Sequence, residues 1–136
     1  MTLSKTSEYA LRVLALMAND TEKKYSSLYL HDKLKIPKKY LQRLLTDLSK
    51  NGLIKSIQGR SGGFVFAKKI EKIFISDIID AVEGFSKTPS CFFGFENCAL
   101  DDPCVMHDVW STSQTDLIKI LSATKLSDLK NKNLKV

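Results

Sequence analysis

A mostly helical fold with one small β-hairpin is what three features of the 136-residue sequence predict. Leu41, Leu44, Leu45 and Leu48 follow the i, i+3, i+4, i+7 spacing of a one-sided helix, while Lys39, Arg43, Thr46 and Lys50 fall on its opposite face. Just beyond it, two strand-like runs, 53–58 and 64–68, flank the turn Gly59-Arg60-Ser61-Gly62-Gly63. Further on, Met106, Trp110, Ser113, Leu117 and Ile120 recur at alternating steps of four and three, the seam of a long helix that packs on another helix. Together they predict a winged helix-turn-helix followed by a long C-terminal dimerisation helix.

In chain order, Ser4 or Ser7 caps a first helix that runs to about Asn19, with Leu11, Leu14, Ala15 and Ala18 at helical spacing. Glu8 lies in its first turn, where the helix dipole favours a carboxylate. The polar stretch 20–25 reads as a loop, and Ser26 or Ser27 starts a short helix through Leu28, Leu30 and Leu34. His31 on that helix reads as an ordinary boundary histidine. Ile36-Pro37 ends it and opens the next, because proline cannot continue a helix yet suits a first turn. This third helix extends to Lys50, with Gly52 as its stop. Its outer side offers Lys38, Lys39, Tyr40, Gln42 and Arg43 to a major groove, and Gln58, Arg60 and Ser61 lie in or beside the hairpin turn, where glycines let backbone approach phosphates. Met106, Val109, Trp110, Leu117 and Ile120 are the candidate dimer contacts, with Ile118 and Leu121 widening the stripe.

Between hairpin and long helix, Ser76 and Asp77 open a short helix through Ile78, Ile79, Ala81 and Val82, ended by Gly84. The chain therefore divides into a winged helix over 1–84, a cysteine-containing loop over 85–104, the long helix over 105–124 and a flexible Lys- and Asn-rich tail over 125–136.

Charge is unevenly spread. Residues 33–72 carry eleven Lys and Arg against Asp47 and Glu71, a balance of +9, whereas 77–116 carry eight acids against Lys87, a balance of −7. The first of these is suited to a polyanion such as double-stranded DNA, and two copies of the domain suit a two-fold related operator. Paired carboxylates, a nucleophile constellation and a phosphate-cradling glycine motif are all missing from the pattern, so an enzyme is not expected. The apolar run 9–18 is interrupted by Arg12 and is too short to span a bilayer. With no secretory signal visible, a soluble cytoplasmic protein without membrane association is expected.

All three cysteines lie in CFFGFENCALDDPCVMH, residues 91–107, at the spacing C-x6-C-x5-C-x2-H. Cys91, Cys98 and Cys104 with His107 form a set of soft ligands able to converge on one metal centre, and Phe92, Phe93 and Phe95 interleave as an apolar wall. An odd count argues against a closed disulfide framework. Structural zinc usually takes ligands in pairs two to four residues apart, so the wider gaps favour an iron–sulfur cluster, with zinc and buried free thiols as the competing readings. A three-residue step from Cys104 puts His107 on the same helical face, which makes it the candidate for the fourth position.

The runs LSKTSEYALRVL, IPKKYLQRLLTDLSKNGLIKS, QGRSGGFVFAK and ISDIIDAVEG, followed by three cysteines and a final helix, resemble the Rrf2 family of bacterial winged-helix regulators over residues 1 to about 122. The resemblance implies a homodimeric transcription factor, a repressor by preference, whose iron–sulfur cluster senses cluster supply, nitric oxide or redox state. Cys104-x2-His107 is similar to the ending of the assembly-type regulators in which histidine completes a 2Fe–2S site, and this type is expected ahead of 4Fe–4S. Glu8 stands where nitric-oxide- and redox-sensing relatives use a carboxylate from the other subunit. Two departures stand out: the first cysteine gap is x6 where assembly regulators have x5, and Gln58 occupies the place where many members carry a DNA-contacting wing arginine. The alternatives to this reading are a cluster-free thiol-based redox regulator and a small iron–sulfur enzyme or electron carrier.

Overall fold

In the computed structural model, which describes residues 4–84 and 105–129, helix α1 spans Lys5–Ala18. Ser4 caps it, its hydroxyl accepting the Ser7 amide at 3.2 Å. The buried stripe is Ala10, Val13, Leu14 and Met17, flanked by Leu16 and Ala18, rather than one centred on Leu11 and Ala15, which are only partly covered. The reason is that α1 is packed on several sides, by α2 (Ser27–Leu34), α3 (Lys38–Lys50), α4 (Ile75–Val82) and a C-terminal turn, so a single narrow face does not describe it.

Helix α2 is capped by Ser26, whose hydroxyl accepts the Tyr29 amide at 3.1 Å. It stops at Lys35, which adopts a left-handed conformation (φ 58°) and donates its amide to the His31 carbonyl at 2.8 Å. His31 Nδ1 lies 2.6 Å from the Ile36 carbonyl across the same turn, and Ile36 is buried, so this histidine holds the helix-turn-helix corner together. Helix α3 then follows Pro37 and buries Leu41, Leu44, Leu45 and Leu48 as its spacing predicts. Gly52, at φ 76°, ends it: the Gly52 amide reaches the Ser49 carbonyl and the Leu53 amide the Leu48 carbonyl, each at 3.1 Å. This paired return to the last turn needs the left-handed residue that glycine supplies without a Cβ penalty.

Strands β1 (Ile54–Ile57) and β2 (Gly63–Phe66) form the antiparallel hairpin, with Ile54 opposite Phe66 and Ile57 opposite Gly63. A 3₁₀ turn, Ile70–Lys72, leads to α4. This helix begins one residue ahead of the expected cap: the Phe74 amide donates to Asp77 Oδ2 at 2.9 Å, and Ser76 lies inside the first turn. Ile75, Ile78 and Ile79 complete the core between α1 and α3.

Helix α5 (His107–Ala123) rests on α4, yet none of its residues is buried. The expected flexible tail from 125 onward is corrected for its first five residues. Leu126 is wholly buried, its amide donates to the Ile73 carbonyl at 2.7 Å, and Leu126–Leu129 forms a 3₁₀ turn against the core. A leucine that fills the gap between α1 and the 70–73 turn orders the backbone that carries it, and a Lys- and Asn-rich composition does not reveal this. Among the described residues, no helix is long and apolar enough to cross a membrane.

Candidate nucleic-acid interface

Helix α3 turns its leucines inward, and the opposite side exposes Lys38, Lys39, Gln42, Arg43, Thr46 and Lys50. No acid shares this face; Asp47, on its flank, is half-buried. The result is a rigid cylinder edge bearing cations and an amide, dimensioned for a major groove. Tyr40, included with this face by position, is used differently. Its hydroxyl is hydrogen-bonded to Thr6, and its ring meets Tyr9 edge-on at 5.4 Å. Its side chain therefore fixes the start of α3 against α1 instead of projecting with Arg43.

Arg60 and Ser61 are exposed at the hairpin tip, and Gln58 is exposed beside them with its amide 3.4 Å from Ser56 Oγ. The hairpin is held to the helical body by a pairing with the end of the polar stretch 20–25, which local pattern alone reads as a loop. The Tyr25 amide donates to the Phe64 carbonyl at 3.0 Å and the Phe64 amide to the Tyr25 carbonyl at 2.7 Å, adding a one-residue third strand. Tyr25 is a residue of high β-propensity at the end of a polar run, and that is the only signal the sequence offered. Its hydroxyl donates to the Asp20 carbonyl at 3.0 Å, and burial, then the nearby Asp20 charge, raises its pKa, keeping the phenol a donor. A Cβ on Gly63 would lie 2.9 Å from the Tyr25 carbonyl carbon and oxygen, and one on Gly62 only 2.1 Å from the Ile57 carbonyl. Gly63→Ala is therefore expected to break the pairing with Tyr25 and to cost about 1–3 kcal/mol of stability. An unchanged urea midpoint would show that the wing does not depend on this close approach.

The three cysteines fall outside the described residues, whereas both candidates for a fourth ligand lie within them. His107 is the first residue of α5 and is half-buried. Glu8, in the first turn of α1, lies 3.5 Å from Lys5 Nζ and 4.0 Å from Arg12 Nη2, surface ion pairs along one helix edge. Next to it, the fully buried hydroxyl of Ser7 donates to Glu83, the last residue but one before 85–104. Asn51, after α3, donates to the Ala81 carbonyl of α4 at 3.4 Å. Sequence periodicity missed both links, since each joins polar groups remote in the chain.

Of the candidate dimer contacts on α5, Val109 and Ile120 are 61% and 62% exposed, and Leu117 is 38% exposed. Ile118, beside them, is also exposed, while Met106 and Trp110 are half-buried. Among the described residues, Leu121 of this helix packs against the edge of the protomer's core. The expected stripe is thus split, with Val109, Leu117 and Ile120 turned outward and Met106 and Trp110 partly covered within the protomer.

Comparison with known proteins gives this geometry a lineage. The Rrf2 family model, described as an iron-dependent transcriptional regulator, matches residues 3–132, which includes the ordered turn after α5. An HTH-type transcriptional regulator of Aquifex aeolicus is 32% identical over 133 residues, covering 96% of this chain and 92% of the relative. The regulator NsrR of Shouchella clausii is 30% identical over 131 residues, covering 95% and 88%. Among solved structures, CymR, the global cysteine regulator of B. subtilis, has the same fold with a TM-score of 0.81 at 24% identity, covering 98% of this chain and 99% of that one. These relatives are transcriptional regulators and not enzymes. With a family match over nearly the whole chain and relatives about 30% identical over almost their full length, the chain belongs to the Rrf2 family of winged-helix transcriptional regulators.

Proposed function

We propose that this regulator binds a two-fold related operator in double-stranded DNA as a homodimer in the cytoplasm, represses from it, and responds to iron–sulfur status, nitric oxide or redox state. The observation that carries the reading is the α3 face, where four lysines and arginines and Gln42 are exposed without an acid while the leucines behind them lock the helix to the core. Gln42 and Arg43 would read base edges, Lys38 and Lys39 neighbouring phosphates or bases, and Arg60 and Ser61, with Gln58, the adjoining minor groove. Arg43→Ala should cost about 1–3 kcal/mol at the specific site and relax its sequence preference. By contrast, Lys68→Ala should weaken binding to every sequence alike, because a phosphate contact carries no base information. Competition titrations with specific and unrelated duplexes distinguish the two; equal losses for both variants on both duplexes would contradict this division of roles.

For the cofactor, the donor set fits an iron–sulfur cluster: three thiols within fourteen residues, and an imidazole or a carboxylate for the remaining position. Cys91, Cys98 and Cys104 would hold it, with His107 as the preferred fourth ligand, Glu8 of a second copy as the alternative, and 2Fe–2S as the expected type. When bound, the cluster supplies a redox-active centre with one exchangeable corner. The chain's own residues supply the route to DNA. Helix α5 rests on α4, and the end of α4 is joined to α1 through Glu83 and Ser7 and to the end of α3 through Ala81 and Asn51. Any displacement of α4 therefore acts on the helix that would lie in the groove, shifting the population of binding-competent dimers.

A further inference from the structure

Within residues 4–84, Leu28 and Tyr29 are the exposed large apolar side chains among the described residues. Tyr29 is accounted for inside the protomer, with the Lys23 ammonium 4.6 Å from its ring centre and the Tyr25 ring 5.8 Å away. Leu28 is 58% exposed. It stands in the first turn of α2 and lines, with Ser27, His31, Lys38, Leu41 and Gln42, a hollow of about 160 Å³ between the two helices of the helix-turn-helix. Leu41 is buried and belongs to the core, which leaves Leu28 as the apolar group beside Lys38 and Gln42 on the outer surface.

Resting on the DNA reading above, we propose that Leu28 is a specificity-determining residue that contacts the C5-methyl group of a thymine in the major groove. Phosphates and sugars offer a leucine little, whereas the +9 stretch over 33–72, which includes the adjoining Lys38, is built for them. On the major-groove edge the thymine methyl is the apolar feature that distinguishes one base pair from the others. A side chain that shares a hollow with Gln42 would meet a base adjacent to the one Gln42 reads. The contact adds no charge, so it would alter sequence preference while leaving sequence-independent affinity and its salt dependence intact.

The test is selection of binding sites from random-sequence duplexes by the full chain, by Leu28→Ala and by Leu28→Met, followed by replacement of each enriched thymine with deoxyuridine, which removes only the methyl group. The expected result is one thymine per half-site at which deoxyuridine weakens the wild type about four-fold, as burial of a single methyl group implies. Leu28→Met should retain that sensitivity and Leu28→Ala should lose it, with all three proteins keeping the same affinity for unrelated DNA. Deoxyuridine without effect on the wild type at every thymine, or with the same effect on Leu28→Ala, would overturn the inference. Should the wild type enrich no sequence at all, the DNA reading itself fails and this inference with it; enrichment that is identical in wild type and Leu28→Ala defeats the Leu28 inference alone.

Discussion

Ile120→Glu is expected to produce a folded monomer whose affinity for a two-fold operator is lower by about 100-fold or more, because the second half-site is no longer bound intramolecularly. Helix α5 has 17 residues and buries none of them in the protomer, while Val109, Leu117, Ile118 and Ile120 are all exposed. An apolar row of this length facing water is a signature of an interaction surface, and self-complementary pairing across a two-fold axis would cover it with its own copy. Ile120 is the cleaner place to test this, since at 62% exposure its replacement removes little packing within one subunit. Leu117→Glu should act in the same direction. Sedimentation at micromolar concentration and DNA titration give the two readouts together. Wild-type protein that sediments as a monomer, or a dimeric Ile120→Glu variant, would count against α5 as the dimer contact.

Cys98→Ala should abolish iron and sulfide incorporation in protein purified without oxygen. One chain offers three thiols, so losing the central one leaves two thiolates and one other group, too few for a cluster within the subunit. His107→Ala should disturb the visible spectrum more than Glu8→Ala. Glu8→Ala is an informative control for structural reasons: its pairs with Lys5 and Arg12 lie at the surface, so their loss should cost no more than about 1 kcal/mol and the fold should be unaffected. Normal cluster content in Cys98→Ala would overturn the assignment. Zinc in place of iron under iron-replete anaerobic conditions would favour a structural Cys3His site, and metal-free wild type with DNA binding sensitive to thiol oxidants would favour a regulator that reacts directly through its cysteines.

Helices with one buried face were legible because their periodicity has a single cause. The leucines of α3 and the stop at Gly52 are where the spacing and the chemistry of glycine put them. Helix α1 was legible as a helix but not in its facing, since neighbours on several sides erase the simple stripe. Tyr25 pairs with Phe64 across a long sequence separation, which no local pattern encodes. Leu126 illustrates the opposite failure: a polar, low-complexity surrounding hides one residue that fills a core gap. In the candidate interface, Arg43, Lys39 and Gln42 were legible from the helical wheel, and the structure exposes them together. The contacts of Tyr40 with Thr6 and Tyr9 were not legible, because these partners come from a helix about thirty residues earlier. The roles of Cys91, Cys98 and Cys104 continue to rest on spacing and donor chemistry, their positions lying outside the described residues.

Binding of the wild-type protein to its selected duplex across a salt series tests the central claim most directly. If the α3 face and the wing of both subunits engage DNA, the binding constant should fall on the order of 1,000-fold between about 50 and about 200 mM salt, as neutralised phosphates release their counterions. The slope should decrease by about one for each phosphate contact removed, hence by about two for Lys68→Ala, which removes one from each subunit of a dimer. An affinity that stays level across the series, or is the same for the selected duplex and for unrelated DNA, would contradict the claim that this chain is a sequence-reading regulator.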